Sequence, residues 1–186
     1  MLEPLALTLF PILFMLVLIG GGQLLRRRKI DMDGEAPIDR RLFYTSKYAI
    51  IVVWLAAVLS GWGIGLSFAK GPGLLRWVAL GIWAAGFLLL FVGRFGLGDS
   101  FRIGSPKEST SLRVKGLFRF SRNPMYLGVF ATLLAAVLHT LNPLVLLLVI
   151  FVVAVHHRIV LAEEQHLRKV FGEEYADYCR QVRRYL

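Results

Sequence analysis

The sequence predicts an all-α integral membrane protein of five transmembrane helices, the last two a hairpin, followed by a cytoplasmic amphipathic helical segment. Three observations predict it. The chain is 56% hydrophobic and 18% charged, with mean hydropathy +0.62; a soluble fold of 186 residues cannot cover that much apolar surface. The apolar residues are gathered into runs of membrane-crossing length. Twenty of the 22 Lys and Arg residues fall in segments that those runs place on one side.

The elements follow in order. Leu5 to Leu25 holds 21 residues without a charge, enough for roughly 30 Å of hydrocarbon at about 1.5 Å per residue. It has no basic flank before it and no small-x-small cleavage site after it, so it is expected as a permanent helix rather than a signal peptide. Residues 26–41, with four consecutive basic residues and then Asp31, Asp33, Gly34 and Pro37, read as a loop held at lipid headgroups. Ala49 to Ala69 is a second run, and Leu74 to Gly93 a third, broken only by Arg76. Met125 to Val155 is too long for one span. Asn142-Pro143 at its middle favours a turn, giving two short helices, Tyr126 to Thr140 and Pro143 to Ile159. Beyond Val160, residues Leu167, Phe171, Tyr175, Tyr178, Val182 and Tyr185 recur at steps of three and four, which is one helical face, with Phe171-Gly172 as the expected break. The chain divides into a two-helix membrane unit, 1–73, and a core, 74–186.

Basic residues fix an expected orientation. Segments 26–47, 94–122 and 158–186 carry seven, seven and six, against two around Lys70 and Arg76. The positive-inside rule then puts the N-terminus outside the inner (cell) membrane, with the third connection and C-terminus in the cytoplasm. Topology and anionic lipid account for the net charge of +10, which gives no ground for a nucleic-acid partner. The single cysteine, Cys179, rules out an intrachain disulfide.

Several chemistries find no support. His139, His156, His157 and His166 form no zinc-binding spacing with Cys or carboxylates, and neither Gly-x-Ser-x-Gly nor His-Glu-x-x-His occurs. Gly96-Leu97-Gly98 lacks a third glycine and follows a membrane helix rather than a strand, so it is no dinucleotide fingerprint. What remains is Arg119, Arg122, Asn123 and Tyr126 at the start of the hairpin, with Glu163-Glu164 at its end. Pro124 suits a first helical position and Asn123 can cap the orphan amides. That helix start does not account for two guanidinium groups and a tyrosine at one turn, nor for adjacent glutamates where the partner helix leaves the bilayer. Charge beside hydrocarbon is costly and by default functional. Antiparallel helices bring both groups to the same end, where they either bind a zwitterion or bind each other. The stretch Gly93 to Ser121 interleaves Gly93, Gly96, Gly98, Gly104, Pro106 and Gly116 with Phe95, Phe101, Phe118 and Phe120. It suits a loop folded over a ligand, or a plain connector.

These residues also carry a family resemblance. Leu112-x-x-x-Gly116-Leu-Phe-Arg-Phe-Ser-Arg-Asn-Pro-Met-Tyr126-Leu-Gly128 resembles the signature of the isoprenylcysteine carboxyl methyltransferase and phospholipid methyltransferase superfamily. So do Glu163-Glu164 and Phe171-Gly172-Glu-Glu-Tyr175-x-x-Tyr178, and Leu97-Gly98-Asp-Ser-Phe101 is similar to the family's Leu-Gly-x-x-Trp. The resemblance covers roughly residues 75 to 186. It implies a membrane-embedded methyltransferase using S-adenosyl-L-methionine, released as S-adenosyl-L-homocysteine, on the cytoplasmic side and without a metal. It nominates Gly96, Gly98, Arg122, Asn123, Tyr126, Glu163 and Glu164 as cofactor-binding, with Arg119, Arg122 and Tyr126 as catalytic groups. Many relatives have histidine where this chain has Asn123, which cannot titrate near neutral pH.

The implied acceptor is the polar end of a lipophilic or lipid-modified molecule, first the carboxylate of an isoprenylcysteine. A phospholipid amine or small thiol is the alternative, and a nicotinamide-dependent reductase of the related sterol-reductase architecture a further one, whose members are much longer. A carboxylate attacks as it stands, whereas an amine or thiol must first lose a proton. With Asn123 at the motif, the candidate bases are His156 and His157.

Overall fold

The computed structural model describes residues 2–29, 35–69, 71–98, 101 and 112–186. Among these residues the architecture is helical: α1 (Leu2–Arg27), α2 (Arg40–Gly61), α3 (Gly73–Leu97), a 3-10 turn at Gly116–Arg119, α4 (Pro124–Thr140) and α5 (Pro143–Gln181). Four of the helices, α1, α2, α3 and α5, are long and apolar enough to cross a membrane; α4, at 17 residues, is shorter. The five expected helices are therefore all present, with changed boundaries.

The second helix is displaced from its hydropathy run. It starts nine residues before Ala49, at Arg40, and stops at Gly61 rather than Ala69. Asp39 fixes the start by accepting the Leu42 amide at 3.0 Å, and Arg40, Arg41 and Lys47 fit the first turns because long basic side chains carry their charge toward the interface. The apolar residues after Gly61 instead form a connection held to the hairpin turn: Asn142 Nδ2 donates to the Leu66 carbonyl at 2.8 Å and the Phe68 amide to Thr140 O at 3.2 Å. The third helix likewise runs on to Leu97, so Gly93 and Gly96 belong to its last turns rather than to a loop. Of the expected ligand-covering loop, residues 99–100 and 102–111 lie outside the described residues.

The hairpin turns at Leu141, which takes the left-handed conformation, and Asn142 caps α5 by accepting the Leu144 amide at 2.8 Å. At 39 residues, α5 is longer than one crossing needs; its straight part, residues 143–171, alone spans roughly 43 Å against about 30 Å of hydrocarbon. Its unbroken apolar run ends at Val155; His156, His157 and Arg158 follow, and Glu163 and Glu164 stand further on, at the start of the charged part of the helix. Gly172, at φ 52° and ψ −123°, breaks the helix where the sequence places a break. That backbone region is almost closed to other residues, and it lets the final two turns fold back under the bundle.

Between helices in lipid, close packing and hydrogen bonds replace the hydrophobic drive. Phe14, Trp54, Trp83 and Phe87 form a buried aromatic cluster joining α1, α2 and α3. Trp54 Nε1 donates to Thr132 Oγ1 at 3.0 Å, tying α2 to α4. The closest approach is α3 against α4. A Cβ on Gly128 would stand 2.8 Å from the Gly86 carbonyl oxygen, and one on Gly86 would stand 2.9 Å from that of Gly128. At the far end of the bundle, buried His139 is hydrogen-bonded through Nε2 to Glu3 at 2.7 Å and through Nδ1 to Ser60 Oγ at 3.2 Å, which pins the start of α1.

Gly128→Leu is expected to cost about 1–3 kcal/mol or more, against its better helix propensity, by forcing α3 and α4 apart. Its thermal midpoint in detergent should drop, while Gly81→Leu, at a site with open space around a Cβ, should leave it unchanged. Equal midpoints for the two variants would contradict the packing.

Candidate functional site

The residues before α4 and those after the α5 kink meet through one carboxylate. Glu164, 4% exposed, accepts from Arg122 Nε and Nη2 at 3.2 and 3.0 Å on one oxygen. On the other it accepts from Arg184 Nε and Nη2 at 3.1 and 2.9 Å. Asn123 Nδ2 adds a contact at 3.2 Å. Paired fork-shaped donors of this kind are the strong form of ion pair. Burial alone would raise the Glu164 carboxyl, but the bonds from Arg184 and Arg122 outweigh it and hold the group below the usual carboxylate range.

The same donors grip the final backbone. Arg122 Nη1 donates to Val182 O at 2.7 Å, the Arg122 amide to Arg183 O at 3.0 Å, and Ser121 Oγ and Asn123 Nδ2 to Arg184 O, each at 3.2 Å. Asn123 thus occupies the cap position of α4 without capping it. The expected side-chain cap is overturned because Nδ2 donates to Glu164 and to the tail carbonyl, and this fixes the side chain where its Oδ1 does not accept from the first helical amides. Tyr178 OH, donating to Phe118 O at 2.6 Å, fastens the kinked helix to the 3-10 turn.

Glu163 turns the other way, toward a cavity of about 400 Å³, within the size range of small-molecule sites. Tyr126 OH bridges both Glu163 oxygens at 3.0 Å. Burial raises the Glu163 carboxyl to about 7, against the opposing pull of the Tyr126 hydrogen bond and the Lys47 charge. The polar end of the cavity holds Arg122, Asn123, Tyr126, Glu163 and His166; Phe118, Leu167, Phe171, Tyr175 and Tyr178 close it from the kinked helix and the 3-10 turn. From there it runs between helices along Phe14, Met15, Ile50, Ile51, Trp54, Leu90 and Val129, an apolar wall.

The nominated residues divide accordingly. Arg122, Asn123, Tyr126 and Glu163 line the cavity. Glu164 stands behind Arg122 as its partner. Arg119 is exposed on the 3-10 turn, and Gly96 and Gly98 lie at the end of α3, where Gly98 is the C-cap; none of these three lines the cavity among the described residues. Leu97 and Phe101 do. Sequence reasoning missed Arg184 and Lys47. Both were counted only as charge bias, and the one signal for Arg184 was an amphipathic face ending beside it.

Residues 73–174 match a family model described as phospholipid methyltransferase. The chain belongs to that family. It is also 34% identical over 108 residues to a Saccharomyces cerevisiae protein named protein-S-isoprenylcysteine O-methyltransferase, an alignment covering 52% of this chain and 45% of that protein. The chain therefore spans less than half the length of this curated relative. The family's matched segment holds α3, α4 and the cavity side of α5; α1, α2 and the Arg184 tail lie outside it.

Glu164→Ala is expected to leave two guanidinium groups apposed with no anion between them, a cost of about 3–5 kcal/mol for a broken buried pair. The tail should then detach. Hydrogen exchange at the Arg122 amide, now bonded to Arg183 O, should accelerate strongly in Glu164→Ala; protection equal to that of the parent protein would contradict the clamp.

Proposed function

We propose that the protein is an S-adenosylmethionine-dependent methyltransferase acting at the cytoplasmic membrane face on the polar end of a lipophilic acceptor, first the carboxylate of an isoprenylcysteine. The observation that carries this reading is the cavity itself. Its polar end, at the rim where α4 begins and α5 leaves the apolar layer, continues into an apolar wall between helices. A water-soluble cofactor suits the first and a lipid chain the second.

The residues present fit the cofactor. Glu163, steadied by Tyr126, offers a carboxylate to an amino group or ribose hydroxyls, and Arg122 and Asn123 offer donors to a carboxylate. Aromatic Phe118, Phe171, Tyr175 and Tyr178 suit a purine. When bound, S-adenosylmethionine supplies the electrophilic methyl carbon on a sulfonium. The chain's part is to align the acceptor with that carbon and keep water out. Glu164 keeps Arg122 in place, and the tail held by the same clamp closes the rim. The family match and the yeast relative support methyl transfer.

A second reading, methylation of a phospholipid amine or small thiol, is favoured by His156. Its Nδ1 donates to Val152 O at 2.9 Å, so a neutral ring keeps Nε2 as an acceptor, and the side chain lines the cavity. A proton-bearing nucleophile would use such a base.

Titration calorimetry of the detergent-purified protein should give heat with S-adenosylhomocysteine and none with a nicotinamide dinucleotide; the reverse would overturn the reading. Glu163→Gln should weaken the first at least about tenfold, as expected for losing a charge-assisted hydrogen bond. The ligand's ammonium needs the Glu163 anion, whose fraction grows as pH rises through about 7. Affinity should accordingly increase between about pH 6 and pH 8 and be flat over that range in Glu163→Gln. A pH-independent affinity in the parent protein would remove Glu163 from cofactor binding.

A further inference from the structure

We infer that Trp54 is the floor on which the acceptor's hydrocarbon chain ends, and that it limits that chain to about two isoprene units. This rests on the methyl-transfer reading above and narrows the lipophilic acceptors that the same cavity takes.

Each helix lines the cavity down to one level and, among the described residues, no further: Phe14 in α1, Trp54 in α2, Leu90 in α3, Val129 in α4 and His156 in α5. Trp54 is what joins that level together. Its ring meets Phe14 of α1 edge-on at 6.3 Å and Phe87 of α3 at 4.9 Å between centres, and all three rings are buried. Its Nε1 donates to Thr132 Oγ1 of α4 at 3.0 Å, and that hydroxyl donates in turn to the Val129 carbonyl at 2.7 Å. Turning the indole would strand its N–H and break both ring contacts, so the floor is fixed.

The depth follows from helix geometry. Lys47 and Glu163 stand at the polar end, and Trp54 and His156 lie seven residues deeper along α2 and α5, roughly 10 Å at about 1.5 Å per residue. An acceptor keeps its polar head among the polar groups, because lower down it would lose its hydrogen bonds. Its hydrocarbon has the remaining depth. An extended chain advances roughly 3.5 Å per three bonds, so about nine bonds fill that depth, and two isoprene units supply about eight. A third unit would meet the indole. Ile50 stands on the same face of α2, one turn nearer the head, so positions 50 and 54 are successive steps of one scale.

The wall has a second way out to exclude. Met15 and Ile51 line the cavity and are also exposed on the outside of the bundle, so a chain slipping between them would pass into lipid and gain nothing from the floor. The straight path instead stays between buried Ile50 and Leu90 and ends on Trp54.

The probes are N-acetylcysteines carrying a dimethylallyl, geranyl or farnesyl group on sulfur, with apparent Kd taken from thermal-midpoint titrations in detergent without cofactor. In the parent protein geranyl should bind at least about tenfold more tightly than dimethylallyl, since each buried methylene contributes about fourfold, and farnesyl should improve on geranyl by no more than about twofold. Partition into detergent acts on every variant alike, so differences between variants report the floor. The indole occupies more volume than one isoprene unit, so in Trp54→Ala farnesyl should bind at least about tenfold more tightly than geranyl. In Ile50→Phe geranyl should lose its advantage over dimethylallyl; this variant keeps the bond from Trp54 to Thr132 and decides alone should Trp54→Ala fail to fold. A gain from geranyl to farnesyl in the parent protein as large as that from dimethylallyl to geranyl would mean that the chain leaves between Met15 and Ile51, and would overturn the assignment. So would one chain-length preference shared by all three proteins, or binding of none of the probes. Absence of S-adenosylhomocysteine binding in the parent protein would instead overturn the methyl-transfer reading, and the chain-length series would still decide Trp54.

Discussion

The structure depends on one carboxylate shared by two guanidinium groups. Glu164 stands at the start of the charged part of α5 and receives Arg122 from the start of α4 and Arg184 from the tail. Taken singly, each of these charges would be expensive so close to hydrocarbon. Together they satisfy one another, and the surplus donors of Arg122 and Asn123 take up the carbonyls of residues 182 and 184. The clamp fixes the hairpin's open end, the direction of the chain after Gly172, and the wall of the cavity.

It also separates the roles of two adjacent glutamates. Successive residues of a helix point about 100° apart, so one faces the clamp and the other the cavity. Glu164 keeps its proton off because strong donors surround it, whereas Glu163, with a phenol as its partner, is raised by burial to about 7. The pair is a structural ion and a poised ligand acceptor, side by side.

Much of this was legible. Asn142-Pro143 marked the hairpin turn because proline ends helices and asparagine caps them, and Glu163-Glu164 stood out because acids rarely follow an apolar run without purpose. Gly172 marked the kink through its backbone freedom. Other features were hidden for physical reasons. The α2 boundary moved because Arg40, Arg41 and Lys47 lower a hydropathy window yet sit comfortably in a helix whose charged ends reach the interface. Asn123 looked like a cap, since Glu164 and Arg184 O engage its Nδ2 only after the tail has folded back. The fit of Gly86 to Gly128 and the reach of Arg184 to Glu164 are contacts between distant segments, and local spacing carries no record of them.

The most direct test of the shared carboxylate is a double-mutant cycle between Arg122 and Glu164, using Arg122→Met, Glu164→Leu and the combination, read as unfolding free energy in detergent. Arg122→Met leaves Glu164 with Arg184 alone, Glu164→Leu strands both guanidinium groups, and the double change strands only Arg184, so the two effects should be non-additive by about 2 kcal/mol or more, within the range for directly coupled pairs. Strict additivity, with the double variant as unstable as the sum of the singles, would contradict the account.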